Sequence, residues 1–213
     1  MTTTRPDLSY SVCFLSRFMS NPMETHMLAV KRILRYIQAT TNLGIFYKMG
    51  CTQELMAYTD SDFAGDINDR KSTSGYVFLL SGGAVAWASK KQPIVTLSTT
   101  EVGYVAAASC VCQSVWMQRV LKQIKGTLSD SVKIFCDNSS TIKLANNPVF
   151  NGRCKYIDVR FHFLRNLVSD GVVSLEYCGT SKQVVDLMTK PLKLDQFEKL
   201  INALGVRSKS EIN

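Results

Sequence analysis

The chain has 213 residues, 46% of them hydrophobic and 20% charged, enough for a packed core in one large domain or in one domain with an appendage. Lys and Arg number 25 against 17 Asp and Glu, and the net charge of +8 suits a polyanion such as nucleic acid, although solubility alone also accounts for a basic surface. Seven scattered Cys with no CxxC pair, and His26 and His162 as the only histidines, argue against a Cys/His zinc site and for reduced thiols inside a cell; no apolar signal region follows Met1, and no apolar run reaches membrane-span length, so no membrane partner is expected.

Residues 6–20 mix Pro, Asp and Ser with Val12, Phe14, Leu15 and Phe18, and read as a short helix or turn packed on another surface. Asn21-Pro22 opens an amphipathic helix in which Met27, Val30, Leu34 and Ile37 recur at helical spacing, ending near Thr40–Gly44. Ile45–Tyr47 is a candidate short strand. Leu55–Asp62 is an apolar run that climbs to Asp60 and Asp62. Strand positions two apart share a face, so both carboxylates leave the same side. They are either ligands for a hard cation or a strand end meeting a polar turn.

Asp66–Ser72 reads as a polar loop, and Gly75–Leu80 with Ala84–Ala88 as two strands joined by the tight turn Ser81-Gly82-Gly83. Ser98–Glu101 has the pattern of a capping box, opening a long helix with Val105, Ala108, Cys112, Trp116, Val120 and Ile124 on one stripe. Val132–Asp137 is a second apolar strand tipped with Asp. Helices are predicted over Ser139–Asn146, Tyr156–Asp170, Gln183–Thr189 and Leu194–Leu204, a strand over Val172–Tyr177, and a frayed tail from Arg207. This order predicts an α/β fold with a mixed five-stranded sheet, helices on both faces, and a small helical segment in front. The most plausible boundary lies near 48–53. In such a sheet the tips of the first and fourth strands can be neighbours, so Asp60 and Asp137 would converge, and carboxylate-held metal ions can drive in-line displacement at phosphorus.

Several blocks carry a resemblance. Tyr58-Thr-Asp60, Val132–Asp137 with Asn138, Lys71–Gly75, Trp87–Gln92, Leu97–Glu101, Lys155–Arg160 with His162, and Val185–Lys190 resemble, in order, the ribonuclease H domain of copia-type retrotransposon polyproteins. Thr4–Asp7, Leu15–Met19, Pro22 and Ala29–Tyr36 resemble the tail of the reverse transcriptase that precedes that domain. The resemblance spans roughly residues 4–204. It implies residues 1–50 as the remnant of a reverse transcriptase C-terminal region, 51–205 as a ribonuclease H-like domain and 206–213 as a tail. It further implies a two-metal Mg²⁺ or Mn²⁺ site and cleavage of the RNA strand of an RNA–DNA hybrid. The remainder of a reverse transcriptase would be a partner, and the location intracellular, nuclear or cytoplasmic within a virus-like particle.

By the same resemblance Asp60, Asp137 and Asp186 match metal ligands, with Val185 where the family has Ala. Asp62 is an accessory acid or a solvated strand end, Asp158 caps or braces its helix, and His162 is structural. The family's second ligand is a Glu that falls here on Gly103. Glu101 is the nearest acid, but two residues earlier is about 200° around a helix, which makes it the capping residue before it is a ligand. The loss of a ligand implies impaired hydrolysis, and Gly103→Glu should restore it and strengthen the helix, unless Gly103 marks a close helix–strand contact. Lys71, Lys90, Lys91 and Lys143 are candidate phosphate contacts, or plain surface lysines. The alternatives to an enzyme are a non-catalytic nucleic-acid-binding domain and an interaction module that uses the N-terminal helices.

Overall fold

The structure is a computed structural model and describes residues 2–50, 54–126, 131–147 and 158–211. Helices α1 (Ser9–Ser16) and α2 (Glu24–Ala39) and a short strand β1 (Leu43–Ile45) come first. Strands β2 (Met56–Ser61), β3 (Thr73–Leu80) and β4 (Gly83–Lys91) follow, then α3 (Thr99–Lys125), β5 (Val132–Cys136), α4 (Ser139–Asn146), α5 (Asp158–Ser169) and β6 (Val173–Tyr177). The chain closes with α6 (Asp186–Thr189), α7 (Leu194–Ala203) and β7 (Val206–Ser208). The main sheet has five strands in the order β4-β3-β2-β5-β6. The first three form an antiparallel meander, and β5 and β6 are parallel to β2. This is the mixed sheet, helix-covered on both faces, that the resemblance to ribonuclease H domains implies.

Local chemistry explains the elements. The β3–β4 hairpin turns at Ser81 and Gly82, both with positive φ (52° and 79°), the conformation that matches the twist of two paired strands. Ser98 caps α3 by accepting from Glu101 N at 3.1 Å, and Glu101 Oε2 accepts from Leu97 N at 2.7 Å. Gly126 ends that helix in the left-handed region, φ 73°.

Alternation along the strands sorts two cores. Ala57, Phe78, Ile134 and Val173 pack against Tyr104, Ala107 and Val111 of α3 and Leu164 of α5. On the opposite face Val77 and Leu79 meet Val185, Leu187 and Met188 around α6, with Leu200, Leu204 and Val206 beyond.

The N-terminal segment is fastened to this body by polar contacts. Arg17 donates to Asp66 Oδ2 at 3.3 Å and to Thr73 Oγ1 at 2.9 Å, and Trp87 Nε1 donates to the Thr2 carbonyl at 2.8 Å. Within the segment, buried Asp7 accepts from Arg5 at 2.7 Å and from the Tyr36 hydroxyl at 2.8 Å. No residue of α2 is buried, and Met23, Met27, Leu28 and Leu34 are more than half or about half exposed.

Expectations change at the two short strands. The tail expected to fray from Arg207 is ordered through Glu211: β7 pairs antiparallel with β1, a 3₁₀ turn follows at Lys209–Glu211, and Val206, just before the tail, is buried. The candidate strand at Ile45–Tyr47 lies instead at Leu43–Ile45, because that register is the one its partner fixes. The boundary at 48–53 falls partly outside the described residues, as do Lys155, Tyr156 and Ile157 and the side chains of Asp158 and Arg160.

Candidate active site

Strand pairing builds the site. Tyr58 pairs with Phe135 in the parallel β2–β5 register, so two residues further on Asp60 and Asp137 lie side by side at the carboxyl ends of adjacent strands. On the other side Asp60 pairs with Gly75 of β3. A Cβ on Gly75 would sit 2.6 Å from Met188 Cβ and 3.0 Å from Thr189 Cγ2, so the missing side chain is what lets α6 lie against the sheet. That approach brings the Thr189 hydroxyl to Asp60 Oδ2 as a donor at 2.8 Å, and buries Asp186 beside the two strand tips.

A cleft of roughly 560 Å³ opens here, lined by Asp60, Asp62, Gly103, Asp137, Asn138 and Lys190 among others. Asp186 lies beneath it. Neither of its buried carboxylate oxygens accepts an aligned hydrogen bond, although Oδ1 is ion-paired at 2.9 Å with Lys190 Nζ.

The electrostatics follow from burial and mutual charge. Burial pushes the Asp186 carboxyl up to about 6, Lys190 opposes that rise, and Asp60 and Asp137 add to it. Burial, and then the Asp60 charge, also raise Asp137. Burial would lower the Lys190 ammonium, but Asp186, Asp60 and Asp137 hold it above its ordinary value. Asp62 is raised by burial and restrained by hydrogen bonds, among them Thr73 N donating to Oδ1 at 2.7 Å.

The acids suit a divalent ion in kind, and buried Asp186 has an oxygen with no partner. Even so, among the described residues no group of three or more carboxylate, imidazole or thiol side chains is placed to hold one ion together.

Glu101 does not line the cleft, and its carboxylate is spent on the Leu97 amide. Gly103 does line it. A Cβ there would lie 2.5 Å from Thr141 Oγ1, while the next atoms are at 3.6 Å. Thr141 is fully buried on α4 and its hydroxyl donates to the Thr100 carbonyl at 3.2 Å. The close contact is therefore helix against helix, not helix against strand. The expected gain in helix stability from replacing Gly103 does not follow, since any side chain must first move Thr141.

The four lysines part company. Lys91 is ion-paired with Asp66 and Asp69, and Lys71 stands 3.9 Å from Asp69, so both face internal counter-charges. Lys90 is exposed and lines a groove with Cys13 and Trp87, between β4 and α1 and away from the acids. Lys143 is exposed on α4, and His162 on α5. The cation that reaches the acids is Lys190. Its spacing from Asp186, four residues along a helix start, was the signal that could have found it.

No protein-family model matches the chain. It is 42% identical over 203 residues to the retrovirus-related Pol polyprotein from transposon RE1 of Arabidopsis thaliana, covering 95% of this chain and 14% of the polyprotein. It is 39% identical over 208 residues to the corresponding polyprotein from transposon TNT 1-94 of Nicotiana tabacum, covering 98% and 16%. Among solved structures, ribonuclease H1 from Halobacterium salinarum aligns with 64% of this chain and 94% of its own at 15% identity, TM-score 0.46. The chain spans less than a fifth of the length of those polyproteins, and it belongs to the retrovirus-related Pol polyproteins of copia-type transposons.

Proposed function

We propose that the chain is a ribonuclease H-type domain that binds RNA–DNA hybrids and hydrolyses their RNA strand poorly or not at all. Residues 1–50 would be the remnant of a reverse transcriptase, 51–205 the nuclease-like domain and 206–213 its tail. The observation that supports this reading is that Asp60 and Asp137 line one cleft with buried Asp186 near enough to feel their charge, and that Gly103 lines it where the resemblance puts a fourth acid. A divalent ion at such acids supplies an activated water and stabilises the leaving oxygen. With one carboxylate absent, both charge and position are lost, which costs orders of magnitude in rate. Exposed lysines such as Lys143 would contact phosphates, and the protein would act inside the cell, in the nucleus or the cytoplasm. Incubation with a hybrid duplex and Mg²⁺, with and without chelator, tests this. Salt-dependent hybrid binding with little cleavage is expected; robust Mg²⁺-dependent cleavage by the unaltered chain would overturn the impairment.

A second reading, an interaction module for the rest of a reverse transcriptase, draws on α2, whose apolar stripe includes Met27 and Leu34, both about half exposed. Among the described residues no helix is long and apolar enough to cross a membrane.

A further inference from the structure

The acids at the cleft are not equivalent. Asp60 and Asp137 line it, and Asp60 keeps one oxygen clear of the Thr189 hydroxyl. Asp186 is buried beneath, with Lys190 Nζ 2.9 Å from its Oδ1. An ion approaching Asp186 must displace that ammonium or sit beside it, and like charges at such range repel.

The α3 side of the cleft offers no ligand from position 103. Gly103 supplies no carboxylate, and the Thr141 hydroxyl fills the space where a side chain would start, 2.5 Å from an ideal Cβ. A second ion would thus lack a ligand at position 103 and meet a resident cation at Asp186. Asp186 is paired with Lys190, and Asp62, which also lines the cleft, already accepts from Thr73 N at 2.7 Å, which leaves Asp60 and Asp137 as the two carboxylates open to an ion. Mg²⁺ commonly binds through one or two carboxylates and keeps several waters.

We propose that the cleft takes one divalent cation, held by Asp60 and Asp137, and that Lys190 paired with Asp186 stands in for the charge of the second. The inference rests on the ribonuclease H-type reading for the kind of ion, and departs from it in the number.

Titrating the full chain with Mn²⁺, following free Mn²⁺ by electron paramagnetic resonance and heat by calorimetry, tests this without any activity. One ion per chain is expected. Asp60→Asn and Asp137→Asn should each weaken binding by about tenfold or more, since ligand charge sets affinity at such sites. Lys190→Met alone, which uncovers the Asp186 charge, should tighten binding about tenfold or admit a second ion. The paired change Asp186→Asn with Lys190→Met exchanges one neutral pair for another and should leave affinity within about threefold. Circular dichroism of each variant separates lost binding from lost fold, and the two single Asp variants are independent arms. Two ions on the unaltered chain, none, or a paired variant as weak as Asp60→Asn would overturn the proposal. Hybrid affinity of the same samples without metal distinguishes the failures. Two ions with hybrid bound keeps the ribonuclease H reading and removes the single-ion site; one ion without hybrid affinity does the reverse.

Discussion

Replacing Gly103 by Ala is the sharpest probe of how α3 and α4 meet. In an open helix the change would stabilise the protein by about 1 kcal/mol, because Gly has more backbone freedom to lose. Here the new methyl would begin 2.5 Å from Thr141 Oγ1. Thr141 is fully buried and β-branched, so it cannot swing into solvent. Turning it away gives up its hydrogen bond to the Thr100 carbonyl, worth about 1 kcal/mol, and overpacking adds roughly 1–3 kcal/mol. The net expectation is a loss of about 1–3 kcal/mol, a drop in melting temperature of several degrees for a chain of this size.

In a Thr141→Ala background the hydroxyl is gone and the next atoms lie at 3.6 Å, an ordinary contact. There Gly103→Ala should stabilise by about 1 kcal/mol. Urea denaturation of the four proteins of this cycle should therefore give a coupling of roughly 2–4 kcal/mol. The same logic extends to activity: Gly103→Glu alone should fold less well and cleave little, and Gly103→Glu with Thr141→Ala should place a carboxylate on the cleft and gain hybrid cleavage. A single Gly103→Ala variant that is more stable than the parent, with no coupling to Thr141, would refute the packing argument.

Gly75→Ala should destabilise by roughly 2 kcal/mol or more through the clash with Met188 and should loosen the Thr189–Asp60 hydrogen bond, read by denaturation and by weaker Mn²⁺ binding. Lys91, then burial and the Asn68 amide, set the Asp66 carboxyl, with the cations winning and holding it down at about 2. A depressed folded-state value means that Asp66 contributes stability in full above the unfolded-state range near 4 and loses it as pH falls through about 2. The penalty of Asp66→Asn should accordingly be greatest at neutral pH and fade on acidification in parallel denaturation series. Lys91→Ala should lower stability and leave the salt dependence of hybrid binding unchanged, whereas Lys143→Ala should flatten that dependence by about one unit; equal slopes for both variants and the parent would remove Lys143 from the nucleic-acid surface.

The sequence made the sheet readable because its signals are local. Ser81-Gly82 between apolar runs, Ser98–Glu101 before a long stripe, and Gly126 after it each act within a few residues. Asp60 and Asp137 were also legible, since an apolar strand ending in acid marks both, and topology does the rest. What stayed hidden depends on contacts between distant segments. The β1 and β7 strands are three residues each and have no periodicity to read until paired. Of the helix expected over Gln183–Thr189 only the short α6 at Asp186–Thr189 forms, because Gln183 reaches the Thr59 carbonyl at 3.1 Å and holds the chain to the sheet. Nor could spacing alone show that Thr141, on another helix, fills the room beside Gly103.

The ribbon of β1 and β7 ties the N-terminal helical segment to the last described strand. Asn42 Nδ2 donates to Ser208 Oγ across 166 positions of sequence, and Lys209 N donates to the Asn42 carbonyl. Closing so long a loop is entropically costly and slow compared with helix formation. During synthesis Leu43–Ile45 therefore leaves the ribosome well before its strand partner Val206–Ser208 exists, so this ribbon is among the last parts to form. Loss of Val206–Ser208 would leave Leu43–Ile45 without its pairing partner, so a change in one strand would be felt at the other, far away in sequence.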